Sequence, residues 1–357
     1  MSEVEQKKVR KSIKLDVVEN SVFKQFSTQF LSGMSERMRE TYNESQLHEF
    51  LKERFEFFKE ATRLSGMVRV KPCQPFSYSQ AETPFNGHVI VEISAPDAPY
   101  IVVTVEAVMR KMNILIHRKL HPIMGVVLSA EKELEEVILP EENTENFDHL
   151  YLEIEADTDI VLLRRIETMI AGHLLAVQLV HNHRKKMLHC LESMEKEIEL
   201  VSAVSLDTKG EWSKLCGWLK LDNLTVMGFI TFVLKDSDSP EFIKTFENSG
   251  QGILAPEYLA KVSNKLLNVL TEHLWKRRHS DFPFALDRIH FHSPVLRFEN
   301  LMILSLRVPD EKLGMVEHVF LGLLRGSSLH VKNTETPLIH QKMRYIFENR
   351  NMLQNSY

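Results

Sequence analysis

Along the first 66 residues, apolar positions return every three or four places. Val22, Phe23, Phe26, Phe30, Leu31 and Met34 form one such series, and Leu47, Phe50, Leu51, Phe55 and Phe58 form a second. This is the spacing of helices that bury one face, so residues 1–66 are predicted to be helical. Pro72, Pro75, Pro84 and Gly87 then punctuate a stretch that reads as a connector from about 67 to 87. From His88 the period shortens, and "HVIVEIS" is a β-branched apolar run that predicts a buried strand. After the turn Pro96-Asp97-Ala98-Pro99, residues Ile101, Val102, Val105, Val108, Met109 and Met112 share one helical stripe, while Glu106, Arg110 and Lys111 lie on another. Asn113 closes this helix. "ILIHRKLHPIMGVVLS" reads as strands, Glu131 to Asn146 as an acidic loop, and "DHLYLEIEA" as a further strand. The order is that of a small α/β sandwich of βαββ type, with helices covering one face of its sheet.

Residues 159–205 carry the longest helical pattern, with Ile160, Leu163, Ile166, Ile170, Leu174, Val177 and Val180 in one stripe. A break is expected near His181-Asn182-His183, and an end at Asp207 and Gly210. A second mixed segment follows. Trp212, Leu215, Trp218 and Leu219 suit a helix, and "NLTVMGFITFVLK" suits one long strand or a strand pair. "PEYLAKVSNKLLNVLTEHLWKRRH" is helical in its first half, and "IHFHSPVLRFENLMILSLRV" supplies two strands. "LGMVEHVFLGLLRGSS" adds another strand, and "TPLIHQKMRYIFENRNML" a last helix. No fixed period relates the two halves.

Composition narrows the functional classes. A chain of 357 residues, 43% hydrophobic and 26% charged, is that of an ordinary globular protein of two or three domains. A net charge of −5 argues against a nucleic-acid partner, which requires a basic face. Cys73, Cys190 and Cys216 are odd in number and far apart, which suits a reducing compartment rather than a disulfide framework. The charged N-terminus lacks the apolar core of a secretory signal, and no apolar run of about 18 residues exists to span a bilayer. A cytoplasmic protein with no membrane partner is therefore expected.

The candidate chemistry is mostly decoy. Gly250-x-Gly252-x-x-Ala255 matches a loose dinucleotide fingerprint, but polar residues Lys244 to Ser249 precede it and Pro256 falls in what should be the first helical turn. A glycine turn is the better reading. His181 and His183 point to different faces of a helix; His290 and His292 share a strand face but have no third ligand, so no metal is expected. Cys190 and Cys216 read as packed thiols, and the stripes Phe23, Phe26, Phe30 and Met109, Met112 as core. No nucleophile elbow and no phosphate-binding loop is present, so no catalytic and no cofactor-binding residue is assigned.

From Gly87 to Tyr345 the chain resembles the N-terminal, non-catalytic region of the large bacterial NAD-specific glutamate dehydrogenases. "SAPDAPYIVV" is similar to that family's D-x-P-[FY] turn leading into a helix. "ILPEENTENFDHLYLEIEADTD" resembles its Leu-Pro segment followed by a "MYLEID"-like strand. "EWSKLCGWLKLDNLTVMGF" matches its "FLRWL…NHFTFLGY" signature at Trp218, Leu219, Asp222, Asn223, Thr225, Gly228 and Phe229, with Phe229 standing in the place of a family tyrosine. "SGQGIL" resembles its "GLGIL" turn, Asp287 to Ser293 resemble another stretch, and "VFLGLLRGSS…TPLIHQKMRYIF" resembles the end of the region.

The resemblance implies an α+β fold of tandem ACT-like α/β sandwich domains joined by long helices. A helical N-terminal segment would span 1–80, a first ACT-like domain 81–157, a helical connector 158–207 and a second ACT-like domain 208–357. It implies a regulatory or oligomerisation role in glutamate catabolism, with NAD and the catalytic domain belonging to the full-length family and not to this stretch. The expected partners are a second copy of the chain or a glutamate dehydrogenase catalytic region, with an amino acid as effector. In such domains an amino acid docks at a helix N-terminus, here at Asp97, Ala98, Pro99 and Tyr100, with Asp97 as the helix cap and Pro99 in the first turn. The alternatives are an NAD-dependent glutamate dehydrogenase active in itself, and a stand-alone amino-acid-sensing or interaction protein.

Overall fold

A computed structural model of the chain describes residues 21–73, 88–202, 204–235, 243–280 and 283–325. The helix expected at "TPLIHQKMRYIFENRNML" and the punctuation by Pro75, Pro84 and Gly87 lie outside the described residues. Two compact units meet in sequence at Leu174/Leu175. Each is mixed α and β around an antiparallel sheet, as the α+β expectation requires.

The first unit opens with helices α1 (Ser21–Ser32), α2 (Glu36–Arg39) and α3 (Glu44–Arg63). Their starts are set locally. Ser35 accepts the Met38 N–H, and Asn43 and Gln46 form a reciprocal capping box that satisfies two of the donors left open at the start of α3. The sheet follows: β1 (Met67–Pro72), β2 (His88–Pro96), β3 (Leu115–Leu120), β4 (Ile123–Leu128), β5 (Leu134–Ile138) and β6 (Glu145–Glu155), with α4 (Ile101–Lys111) between β2 and β3. The order is β1-β2-β6-β4-β5, and β3 also pairs with β6. Strands β2 and β3 thus run the same way on either side of β6, so β2-α4-β3 is a split βαβ unit.

Strand β6 is buried on both faces, and the register sorts the sheet's residues. Ile90, Glu92 and Ser94 pair with Glu153, Tyr151 and His149, whereas Val89, Val91 and Ile93 pair with Ile154, Leu152 and Leu150 on the opposite face. The first set lies beneath α1–α3, whose Phe26, Phe30, Phe50, Phe55 and Phe58 share one core with Ile90, Phe147 and Tyr151. Each such phenylalanine removed from water contributes about 1.5–3 kcal/mol. The helices and the sheet are one body, not a helical segment beside a domain.

Three local expectations change here. Part of the connector expected at 67–87 is strand β1, whose "MVRVKP" alternation is blurred by an arginine and a lysine. Part of the acidic loop is strand β5, in which Val137 is buried while Glu135 and Glu136 face out. Helices were expected on one face of the sheet, but both faces are buried.

Helix α5 (Ile160–Glu197) runs unbroken through His181-Asn182-His183. Within the second unit its Met187, Leu191 and Met194 are buried. Asp207 does not end this helix. It lies in the first turn of α6 (Leu206–Trp218), which Ser205 caps. A π turn, Leu219–Asn223, leads into the single long strand β7 (Leu224–Leu234), followed by β8 (Ile243–Thr245) and β9 (Gln251–Gly252). Helices α7 (Pro256–Lys261) and α8 (Lys265–Lys276) come next. Helicity was expected in the first half of this stretch, but the longer helix is in the second, because Ser263 and Asn264 take left-handed φ values of 52° and 58° and interrupt the run. Strands β10 (Phe284–His292), β11 (Asn300–Asp310) and β12 (Gly314–Leu324) complete a sheet of order β10-β11-β12-β7-β8, with β9 also on β7.

Candidate functional site

The turn between β2 and α4 contains all four residues expected to receive an effector. Its local geometry differs from expectation. Asp97 is not the helix cap: Tyr100 holds that position, with φ 80° and no side-chain capping bond, and the helix begins at Ile101. Pro99 therefore precedes the first turn instead of lying in it. Asp97 instead ties the turn to β6, its backbone N–H donating to the Asn146 carbonyl at 2.8 Å, and Ala98 is buried. The first N–H groups of a helix have no partner within the helix, and here no side chain at the cap position takes one up. Two residues along β6 from Asn146, the buried Asp148 carboxylate holds His121 Nε2 at 2.5 Å.

A second polar constellation lies under the helical layer. Glu92 projects from the middle of β2 and is fully buried. Arg54 of α3, also buried, donates from Nε to Glu92 Oε1 at 2.6 Å, and Arg69, directly across on β1, donates from Nε and Nη2 to Oε2 at 2.9 and 2.6 Å. Burial alone would raise the Glu92 carboxyl, but the charge and hydrogen bond of Arg54, with the charge of Arg69, outweigh it and hold the group below the ordinary carboxylate range. The Arg54 guanidinium also lies 4.6 Å from the Phe50 ring centroid and 5.2 Å from that of Tyr151. Glu53 completes the shell by pairing with both Arg54 and Lys71. Nearby, Tyr151 donates to the buried Glu153 at 3.0 Å, and Arg118, across on β3, stands 3.5 Å from the same carboxylate.

His149 sits on the same sheet face, wholly buried and ringed by Phe26, Phe30, Phe57 and Phe58 at centroid distances of 5.5–6.0 Å. Neither ring nitrogen makes a hydrogen bond. Burial pushes its pKa down to about 4, with Glu92 opposing and Arg54, Arg69 and His121 adding to the fall.

The family model described as glutamate dehydrogenase, ACT1 domain, matches residues 26–170, from within α1 to within α5. That span holds the sheet, α4, the turn and the clamp around Glu92. Residues 26–170 are thus similar to a glutamate dehydrogenase ACT1 domain. Comparison with curated proteins finds no match. The match supports the resemblance for the first unit, and the matched span takes in α3 and most of α1, with Arg54 and the phenylalanine cage of His149.

Sequence reasoning missed Glu92, Arg54, Arg69 and His149, although a signal existed. Glu92 is the one charge inside "HVIVEIS", and Arg54 lies four residues from both Phe50 and Phe58, in the phase of the buried stripe. A charge in core phase asks for a buried partner of opposite sign. The second unit repeats the device: Glu317 of β12, fully buried, accepts from Arg277 of α8 at 3.1 Å and from Arg307, opposite on β11, at 2.9 Å.

The glycine decoy resolves as a turn. A Cβ on Gly250 would come 2.1 Å from the Leu254 carbonyl oxygen. One on Gly252, whose φ is 61°, would come 2.0 Å from that of Met227. The glycines let the backbone approach its own strand, and the Gly252 N–H donates to His183 Nδ1 at 3.0 Å. Pro256 does not interrupt the following helix but occupies its first position, where proline fits. His290 and His292 are exposed, and among the described residues no three His, Cys, Asp or Glu side chains gather as a metal site. Cys216 is buried and its thiol is pushed up to about 12 by burial, while the half-buried Cys190 is also raised by burial. No helix among the described residues is long and apolar enough to cross a membrane.

Proposed function

We propose that this chain is a regulatory and assembly region of a glutamate dehydrogenase system, and that its ACT1 domain takes an amino-acid effector at the start of α4. The observation that carries this reading is the ACT1 match across the turn Asp97–Tyr100, which leads into a helix with no side-chain cap. The start of the helix, where Tyr100 supplies no side-chain cap, and the positive end of its dipole suit the effector's carboxylate. The partner it regulates is the catalytic region of a glutamate dehydrogenase, which supplies the NAD chemistry, or a second copy of the chain.

A thermal-shift screen of the purified chain against the standard amino acids, with glutamate and 2-oxoglutarate, tests the proposal. A selective, saturable rise in melting temperature is the expected result, because a ligand that binds only the folded state stabilises it by mass action. A flat response to every compound refutes effector binding. NADH formation from glutamate by the chain alone would instead favour the reading as an active dehydrogenase.

A further inference from the structure

The helical layer of the first unit covers a histidine whose surroundings disfavour its charged form. His149 is wholly buried, both ring nitrogens lack a hydrogen-bond partner, and its ring makes edge-on contacts with Phe26 and Phe30 of α1 and Phe57 and Phe58 of α3. An imidazolium has two N–H donors, and the phenylalanine cage supplies no oxygen to accept them. The charged groups around it do not reverse this. Glu92 on β2 attracts a proton on His149 but is committed to Arg54 and Arg69, while Arg54 on α3, Arg69 on β1 and His121 between β3 and β4 oppose it. The four rings of the cage come from α1 and α3. Wetting the ring therefore means moving those helices, while the β2–β6 ladder is held by its own backbone bonds.

We propose that His149 makes the α1–α3 layer an acid-sensitive latch on the ACT1 sheet, seated while the imidazole is neutral and released when it takes a proton. Release is a local opening, which hydrogen exchange resolves element by element.

The test is amide hydrogen exchange on the full chain at pH 7 and pH 5, corrected for intrinsic rates. With the closed-state value near 4 and an ordinary value of about 6.5 in the opened state, the open fraction of α1 and α3 should rise about twentyfold between these pH values. Amides of β2 and β6 should keep their protection. In His149→Phe and in His149→Gln the pH dependence should vanish. The glutamine variant keeps a buried polar group, so a flat profile there separates titration from packing. The latch is overturned if the wild-type helices show no rise, if either variant keeps it, or if β2 and β6 open in step with the helices.

Discussion

Replacing Arg54 by methionine removes the central member of the Glu92 clamp. Arg54 is 1% exposed and Glu92 fully buried, so their interaction is only weakly screened by solvent. The substitution deletes the 2.6 Å bond to Glu92 Oε1, the 2.9 Å bond to Glu53 and the contacts over Phe50 and Tyr151. Glu92 is left with Arg69 alone, whose side chain is 32% exposed. Breaking a buried ion pair by removing one partner costs about 3–5 kcal/mol, because the remaining charge is stranded in a low-dielectric site. The methionine fills most of the vacated volume, so cavity formation adds little. Urea denaturation followed by far-ultraviolet circular dichroism should therefore show a loss of that size for Arg54→Met. The double variant Arg54→Met/Glu92→Leu should recover a large part of it, since no buried carboxylate is then left unpaired. A loss below about 1 kcal/mol for the single variant, or strict additivity in the double, would refute the claim that the clamp joins the helices to the sheet.

Other outcomes follow from the same physics. Glu317→Gln should destabilise the second unit by about 3–5 kcal/mol, read as a lower denaturation midpoint, because Arg277 and Arg307 lose their shared buried anion. Gly252→Ala should cost at least about 1–3 kcal/mol in the same assay, since φ is 61° and the new methyl would meet the Met227 carbonyl. Phe58→Ala should cost about 3–5 kcal/mol by opening a cavity among Phe26, Phe147 and His149. Between pH 6.5 and about 4 the unfolded chain protonates His149 and the folded chain does not, so stability should fall with acidification by up to about 1.4 kcal/mol per pH unit, measurable as the pH dependence of melting.

Where hydrophobic spacing dominates, the sequence was legible. The phenylalanine stripes of α1 and α3, the valine stripe of α4, and strands β2, β6 and β7 lie where the period places them, because burial of one face or of a whole run leaves a clear pattern. Strands β1 and β5 were hidden by Arg69, Lys71, Glu135 and Glu136, charges compatible with an edge strand that look like connector composition. The start of α4 was misplaced because Asp97 is a strong capping residue, and only the tertiary fold shows Tyr100 taking the position in a left-handed conformation. The clamp residues were invisible for a different reason. Arg54, Arg69 and Glu92 are spread over 39 residues and meet only through strand register and helix docking. Histidine weighed as a metal ligand drew attention to His181, His183, His290 and His292, while the chemically unusual one, His149, lies in "DHLYLEIEA", where an apolar strand pattern hides it.

Calorimetric titration of the wild-type chain and of Tyr100→Asp, using the amino acid that stabilises the fold most, asks whether the turn Asp97–Tyr100 receives an amino acid. Aspartate tolerates the left-handed backbone better than tyrosine and places a carboxylate at the cap, where it competes for the same N–H groups and repels an anionic ligand. One saturable site per chain in the wild type, lost in Tyr100→Asp with folding intact, is the result expected. Equal binding by both proteins would contradict the assignment of the site, and no heat with any amino acid would contradict effector binding itself.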